Sequence, residues 1–358
     1  MDRYIQIGEI GRGSSSRVYL MKDTQAHRLV AIKKCHLSYY RSISKSSDDI
    51  FELACREVLV FHGSHSKAKL LKGMNHPNVM RCYDYFIEGN YLHMVMEYMG
   101  CGDLNHLVDL FQRSHQYRSD ITMTNRLLPE TMLLHIFREC VSGLEYIHGR
   151  SIVHRDIKPQ NLYLSESGGI KIGDLGISVD FSYPAVPTDT VGTVQYMAPE
   201  VVRGENADFS ADVWSLGCVL YELMWRKPLF TEGSYSRLII QIAEQSSITP
   251  STLPEIYSYE LRKLVCSMLQ VSKEYRPTLS QIQSSLNVLE KPQPDTILSF
   301  RRFTDRAFFE NLLRIHSCSS PAAPIQYDRI VEGLEKDAEF LIRNNSGLLR
   351  IYDVIRSL

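Results

Sequence analysis

The chain has 358 residues, 44% of them hydrophobic, with 40 lysines and arginines against 41 acidic residues. A net charge of −1 gives no field that would draw in nucleic acid or an anionic membrane, while the hydrophobic content supports a sizeable core and the length allows two or three domains. Eight cysteines are scattered with no Cys-x-x-Cys pair, and Met1-Asp2-Arg3-Tyr4 is not an apolar leader, so the expectation is a cytoplasmic protein with reduced thiols, not a secreted disulfide scaffold or a zinc module.

In chain order, residues 4–7 and 18–21 read as strands around a turn, Ile10-Gly11-Arg12-Gly13-Ser14-Ser15-Ser16-Arg17-Val18. Glycines there adopt φ values that other residues avoid and let the backbone approach a ligand closely, although a Gly/Ser hairpin by itself is more often a plain turn. Val30-Ala31-Ile32-Lys33 reads as a further strand, and residues 92–99 as a buried strand running into a linker at Gly100, Gly102 and Asp103. A helix opens at 127–130 with Pro129 in its first turn, and Leu133, Leu134, Phe137, Val141, Leu144 and Ile147 repeat at helical spacing up to His148. The run His154-Arg155-Asp156-Ile157-Lys158-Pro159-Gln160-Asn161 follows, and Asp174-Leu175-Gly176 begins eighteen residues after Asp156. Further on stand Gly192-Thr193-Val194-Gln195-Tyr196-Met197-Ala198-Pro199-Glu200, an apolar helix over 212–223 and Tyr275-Arg276-Pro277-Thr278. That helix is too short to span a bilayer and suits a core. Lys291-Pro292-Gln293-Pro294 closes the last helix of the main body.

The run at 154–161 carries the most chemistry. An acid, a lysine two residues on and an amide five residues on can project from one short loop, and Asp174 on the next strand-like stretch adds a second acid. Phosphoryl transfer asks a protein mainly to position the nucleophile and neutralise charge, so this set suits Mg²⁺-ATP. Asp156 would accept the hydrogen bond of the acceptor hydroxyl, Lys158 would steady the γ-phosphate, and Asn161 and Asp174 would hold Mg²⁺.

With the other motifs in the same order, this run resembles the catalytic loop of the eukaryotic protein kinases. The resemblance implies an α+β, bilobal fold. A mainly β N-lobe with one long helix would occupy residues 1–97, a mainly helical C-lobe 98–290, and a helical C-terminal extension 291–358. It also implies that Lys33 contacts the α- and β-phosphates and that the main chain at Glu97 and Met99 binds the adenine edge. Met96 would be the gatekeeper, Val18 and Ala31 would cover the base, Tyr163 would be its floor, and Ile10, Gly11 and Gly13 would complete the ATP site. Residues 192–200 resemble the end of an activation segment, with Glu200 expected to pair with Arg276 and Asp212 to hold the catalytic loop from below.

Within that superfamily the chain is similar to the NIMA-related kinases. The residues concerned are Asn75-His76-Pro77-Asn78-Val79, Gly102-Asp103-Leu104, Leu128-Pro129-Glu130, Gly173-Asp174-Leu175-Gly176 and Val191-Gly192-Thr193. This implies a serine/threonine kinase acting on protein substrates, a reading that Lys158 supports, with Ile177 leaning toward threonine acceptors. The family's association with microtubules, cilia and mitosis implies a cytoskeletal or regulatory partner for the C-terminal extension, and a location that is cytoplasmic, nuclear or on the cytoskeleton.

Two positions depart from the pattern. An active kinase needs a helix glutamate beside Lys33. Counting back from His76 gives Lys67 and counting forward from Lys33 gives Glu52, but extra sequence at 37–49 and 61–69 disturbs both counts. Glu57 is preferred because Phe61, one turn on, is apolar, as a residue packing on Leu175 should be. Were Glu57 only a solvated glutamate, the alternative would be a pseudokinase scaffold. In the activation segment, relatives carry Ser or Thr where this chain has Asp189, between Thr188 and Thr190 and four residues before Thr193. A fixed carboxylate there could pair with Arg155 and partly replace a phosphate; the other reading puts the phosphate on Thr188 or Thr190.

Overall fold

A computed structural model describes residues 3–289 apart from 14–15, 37–73, 107–126, 166–167, 175–193, 206, 232 and 245–247. The expected N-lobe helix with Glu57 and Glu52, the activation-segment positions Thr188, Asp189, Thr190 and Thr193, and the extension at 291–358 lie outside the described residues.

Five antiparallel strands form the first lobe: β1 (Tyr4–Arg12), β2 (Ser16–Asp23), β3 (Arg28–His36), β4 (Cys82–Glu88) and β5 (Tyr91–Glu97), in the order β1-β2-β3-β5-β4. Directly opposed residues share a face of the sheet, so the register decides what faces the interlobe cleft. Val18, Lys33 and Met94 stand in one cross-strand row, and Leu20, Ala31 and Met96 in the next. The alternate positions Met21, Val30, Ile32 and Val95 form a separate small core lidded by Tyr4, Tyr19, Tyr83 and Phe86. Strand β4 has no counterpart in the sequence reading, because its residues alternate weakly and none of them is fully buried. Strand β5 stops at Glu97, two residues short of the expected end, which leaves Tyr98 and Met99 in the linker.

The second lobe is built on α1 (Glu130–His148) and α3 (Phe209–Trp225), with the short α2 (Pro199–Val202), α4 (Tyr235–Ala243), α5 (Tyr259–Met268) and α6 (Leu279–Val288) around them. All six apolar positions expected on α1 are buried. Pro129 is the N-cap residue of α1, one position outside the expected first turn, and its carbonyl accepts the N–H groups of Met132 and Leu133. Ten successive residues of α3, Ala211 to Leu220, are buried, which makes it the axis of the lobe. The helix begins at Phe209, earlier than the pattern suggested, because Asp208 caps it by accepting the Ser210 N–H. Thr278 and Gln281 close α6 with a reciprocal capping box.

A small antiparallel pair, β6 (Leu162–Leu164) and β7 (Ile170–Ile172), follows the 154–161 run. The stretch at residues 78–80 pairs with β7, through Met80 N–H to Ile172 O at 2.8 Å and Ile172 N–H to Asn78 O at 2.9 Å. The Lys171 ammonium meets the Glu97 carboxylate at 2.9 Å, so the linker and the second lobe are tied at their junction. Among the described residues no helix is long and apolar enough to cross a membrane.

Candidate active site

Between the lobes lies a cleft of about 650 Å³. Ile10, Gly11, Gly13, Val18, Ala31 and Lys33 line it from the sheet, Met96, Glu97 and Met99 from the linker, and Lys158, Asn161, Tyr163 and Asp174 from the second lobe. Gly13 closes the first hairpin by donating its N–H to Ser16 O at 2.8 Å, and Ser16 itself lines the cleft.

The polar centre is assembled by the β6–β7 pairing. Leu162 opposes Ile172, so Asn161 before one strand and Gly173-Asp174 after the other are brought side by side, with Gly173 N–H donating to Asn161 O at 2.8 Å. Asp174 then takes a left-handed conformation, φ 51°, which an aspartate tolerates better than most residues. Its carboxylate meets the Lys33 ammonium at 2.6 Å across the cleft. Burial works against ionisation of Asp174, but the charge and hydrogen bond of Lys33 outweigh it and hold the carboxyl below its ordinary range.

Asp156 is buried, 6% exposed, and does not itself line the open cleft. Lys158 Nζ lies 3.0 Å from one of its carboxylate oxygens and 2.8 Å from the other. Asn161 donates Nδ2 to the Asp156 carboxylate at 2.7 Å and to its carbonyl at 2.8 Å. Both amide donors of Asn161 are turned toward Asp156, which leaves its Oδ1 as the atom available to a hard cation. His154 fixes the loop from the other side: Nε2 donates to Gly173 O at 2.9 Å while Nδ1 accepts the Asp156 N–H at 3.2 Å, a pattern that only the neutral Nε2–H tautomer can make.

Asp212, wholly buried on α3, accepts the backbone N–H groups of His154 at 2.8 Å and Arg155 at 2.7 Å. Glu200 and Arg276 meet in a buried bidentate pair, at 2.6 and 2.7 Å. The segment leading to Glu200 is moored to the same lobe. Ser215 Oγ donates to Tyr196 O at 2.7 Å, the Tyr196 hydroxyl donates to Glu222 at 2.7 Å, and Gln195 Nε2 donates to Phe230 O at 2.9 Å.

Several residues line the cleft that the sequence did not place there. Met80 enters because its segment pairs with β7, and Gln195 and Tyr196 because α3 draws their segment under the cleft. Asp103, at the end of the linker, also lines the cleft and accepts the His106 N–H at 2.9 Å.

Comparison with known proteins agrees with this geometry. The family described as "Protein kinase domain" matches residues 4–286. Curated relatives include a probable serine/threonine-protein kinase nek3 of Dictyostelium discoideum, 33% identical over 79% of this chain and 23% of its own length. Serine/threonine-protein kinase Nek1 of Mus musculus is 32% identical over 79% of this chain and 21% of its own, and Nek3 of Mus musculus 33% identical over 79% and 49%. The chain thus spans from about a fifth to about half of the length of the curated relatives it matches. It belongs to the protein kinase family, and these relatives are Nek, or NIMA-related, serine/threonine kinases.

Proposed function

We propose that this protein kinase transfers the γ-phosphate of ATP to serine and threonine hydroxyls of protein substrates. The observation that carries the reading is Asp156, whose carboxylate is held between Lys158 and Asn161, the latter bonded through its backbone to the residue before Asp174. Its oxygens are fixed where an acceptor hydroxyl can be oriented. As the acceptor oxygen bonds to the γ-phosphorus, Asp156 takes its proton, and the bond between phosphorus and the bridging oxygen breaks to release ADP. Lys158 is placed to follow the charge on the transferred group, and Lys33 to hold the α- and β-phosphates.

The donor set suits a hard divalent cation: the Asp174 carboxylate and the Asn161 Oδ1 are both oxygen ligands, and the Asn161 amide nitrogen is already committed to Asp156. Bound Mg²⁺ supplies neutralisation of charge along the phosphate chain. With Lys33, Asp156, Asn161 and Asp174 all present and converging, the site favours transfer over a scaffold role.

Asp156→Asn tests the reading. Autophosphorylation and transfer to a generic Ser/Thr substrate, followed by mass spectrometry, should disappear in the mutant while MgADP affinity by calorimetry stays within about twofold. Equal phosphorylation by mutant and wild type would remove Asp156 from its role. Protein substrates are proposed on the strength of the relatives' names; a regulatory or cytoskeletal partner for the 291–358 extension and a cytoplasmic location remain proposals that a pull-down and imaging of the tagged full chain would test.

A further inference from the structure

The register of the sheet sets the order in which side chains meet whatever fills the cleft. Ala31 and Met96 are opposed beside the linker, Lys33 and Met94 two residues further out, and Cys35 and Leu92 two residues beyond those. Strand β2 adds Leu20, Val18 and Ser16 to the same three rows, which stand about 7 Å apart. Side chains alternate between the faces of a strand, so Ser16 points to the face from which Val18, Ala31 and Lys33 line the cleft. Ser16 lines it too. Cys35 and Leu92 are buried, whereas Ser16 is only partly so and carries the hydroxyl of its row. Its carbonyl accepts the Gly13 N–H at 2.8 Å, but its hydroxyl has no hydrogen-bond partner among the described residues, nor is it sealed from solvent. A Cβ on Gly13 would stand 3.0 Å from Ser16 Oγ, so the hydroxyl lies beside bare backbone at the cleft wall.

We propose that the Ser16 hydroxyl donates a hydrogen bond to an oxygen of the γ-phosphate, one row further from the linker than Lys33. This rests on the ATP reading above. The order of the rows carries the assignment. With the base against Ala31 and Met96 at the linker, and the α- and β-phosphates at Lys33, the third row is left to the outermost phosphate. A donor is the right chemistry there, since ionised phosphate oxygens are acceptors, and a charged acceptor strengthens the bond. Being neutral, the hydroxyl leaves the charge of the transferred group to Lys158. Ser16 is therefore a specificity residue: it is engaged by a triphosphate and idle against a diphosphate, which favours ATP over its own product.

Calorimetry of the full chain tests this, with wild type and Ser16→Ala titrated with the magnesium complex of a non-hydrolysable ATP analogue and with MgADP. The substitution removes one oxygen from a residue in extended backbone. The expected result is a loss of about tenfold for the ATP analogue and less than about twofold for MgADP. Retained MgADP affinity also shows that the variant keeps its folded cleft. The KM for ATP should rise by about the same factor with kcat nearly unchanged, as for a contact made equally in the ground and transition states. Equal affinity of wild type and Ser16→Ala for the ATP analogue overturns the proposal and leaves the kinase reading intact. An equal loss for MgADP also overturns it, by moving the contact to the inner phosphates or to the loop as a whole. If wild type binds neither ligand, the ATP reading of the cleft falls and the proposal with it.

Discussion

The buried carboxylate of Asp212 accepts the backbone N–H of Arg155 at 2.7 Å across 57 residues of chain. Arg155 stands at φ 68°, a conformation that costs a residue with a side chain about 1–2 kcal/mol. One carboxylate oxygen of Asp212 takes Arg155, and the other takes the His154 N–H at 2.8 Å and lies 2.7 Å from His148 Nε2. The strained loop that carries Asp156 is thus pinned from beneath by a group that need not touch substrate.

An amide at this position accepts on one oxygen only. Asp212→Asn is expected to lower kcat by at least about tenfold through misplacement of Asp156, while MgADP affinity changes little. Steady-state kinetics beside calorimetry check this; a parallel fall in kcat and affinity would mean that Asp212 supports the cleft as a whole.

The Glu200–Arg276 pair should behave as a buried charge pair does. Arg276 also donates to the carbonyls of Gln270, Val271 and Ser210, so removing Glu200 leaves a cation buried with only dipoles around it. Glu200→Gln is expected to destabilise the fold by about 3–5 kcal/mol, whereas the double change Glu200→Met, Arg276→Met should cost less than either single one. Urea denaturation of Glu200→Gln, Glu200→Met, Arg276→Met and the double variant measures this. A double mutant as unstable as the sum of the singles would contradict it.

Arg226 ends α3 in the left-handed conformation, φ 59° and ψ 27°, with its N–H donating to Glu222 O at 2.6 Å. Glycine adopts this geometry without steric cost. Arg226→Gly is expected to stabilise the protein by up to about 1 kcal/mol, with Arg226→Asn between glycine and wild type. Thermal melts rank the three. A lower Tm for the glycine variant would show that the contacts of the arginine side chain exceed its backbone strain.

His93 makes stability depend on pH. It is 1% exposed, stacks on Phe86 with ring centroids 4.9 Å apart, and neither of its ring nitrogens has a hydrogen-bond partner among the described residues. Burial first, and then the Lys34 charge on the neighbouring strand, hold its pKa below the usual value, while Glu88 opposes them weakly. Above about pH 6.5 the ring is neutral folded or unfolded and carries no penalty. As pH falls below that value, the unfolded chain takes up a proton that the folded one refuses, so stability declines until the depressed folded pKa is reached. His93→Phe should flatten part of the decline between about pH 6.5 and 5 in denaturation curves. His76 is depressed for the same first reason, so some slope should remain.

What the sequence determined by itself is what short spacing can encode. Asp156, Lys158 and Asn161 lie within one loop, so their order already placed them together, and the apolar period of α1 named its buried face. The resemblance to kinases added partners far along the chain, Glu200 with Arg276 and Asp212 with the loop, that no local pattern could supply. Other relationships needed the tertiary structure. Strand β4 alternates too weakly to be seen, and the grip of Lys171 on Glu97 and of Lys33 on Asp174 spans 74 and 141 residues. The place of Ser16 one row beyond Lys33 depends on the β2–β3 register, and the strain at Arg155 and Arg226 on what surrounds them. A local sequence sets conformational preferences worth a kilocalorie or so per residue. Which side chains meet across the cleft is decided by strand register and by helices packed from distant parts of the chain, where burial and paired charge outweigh those preferences.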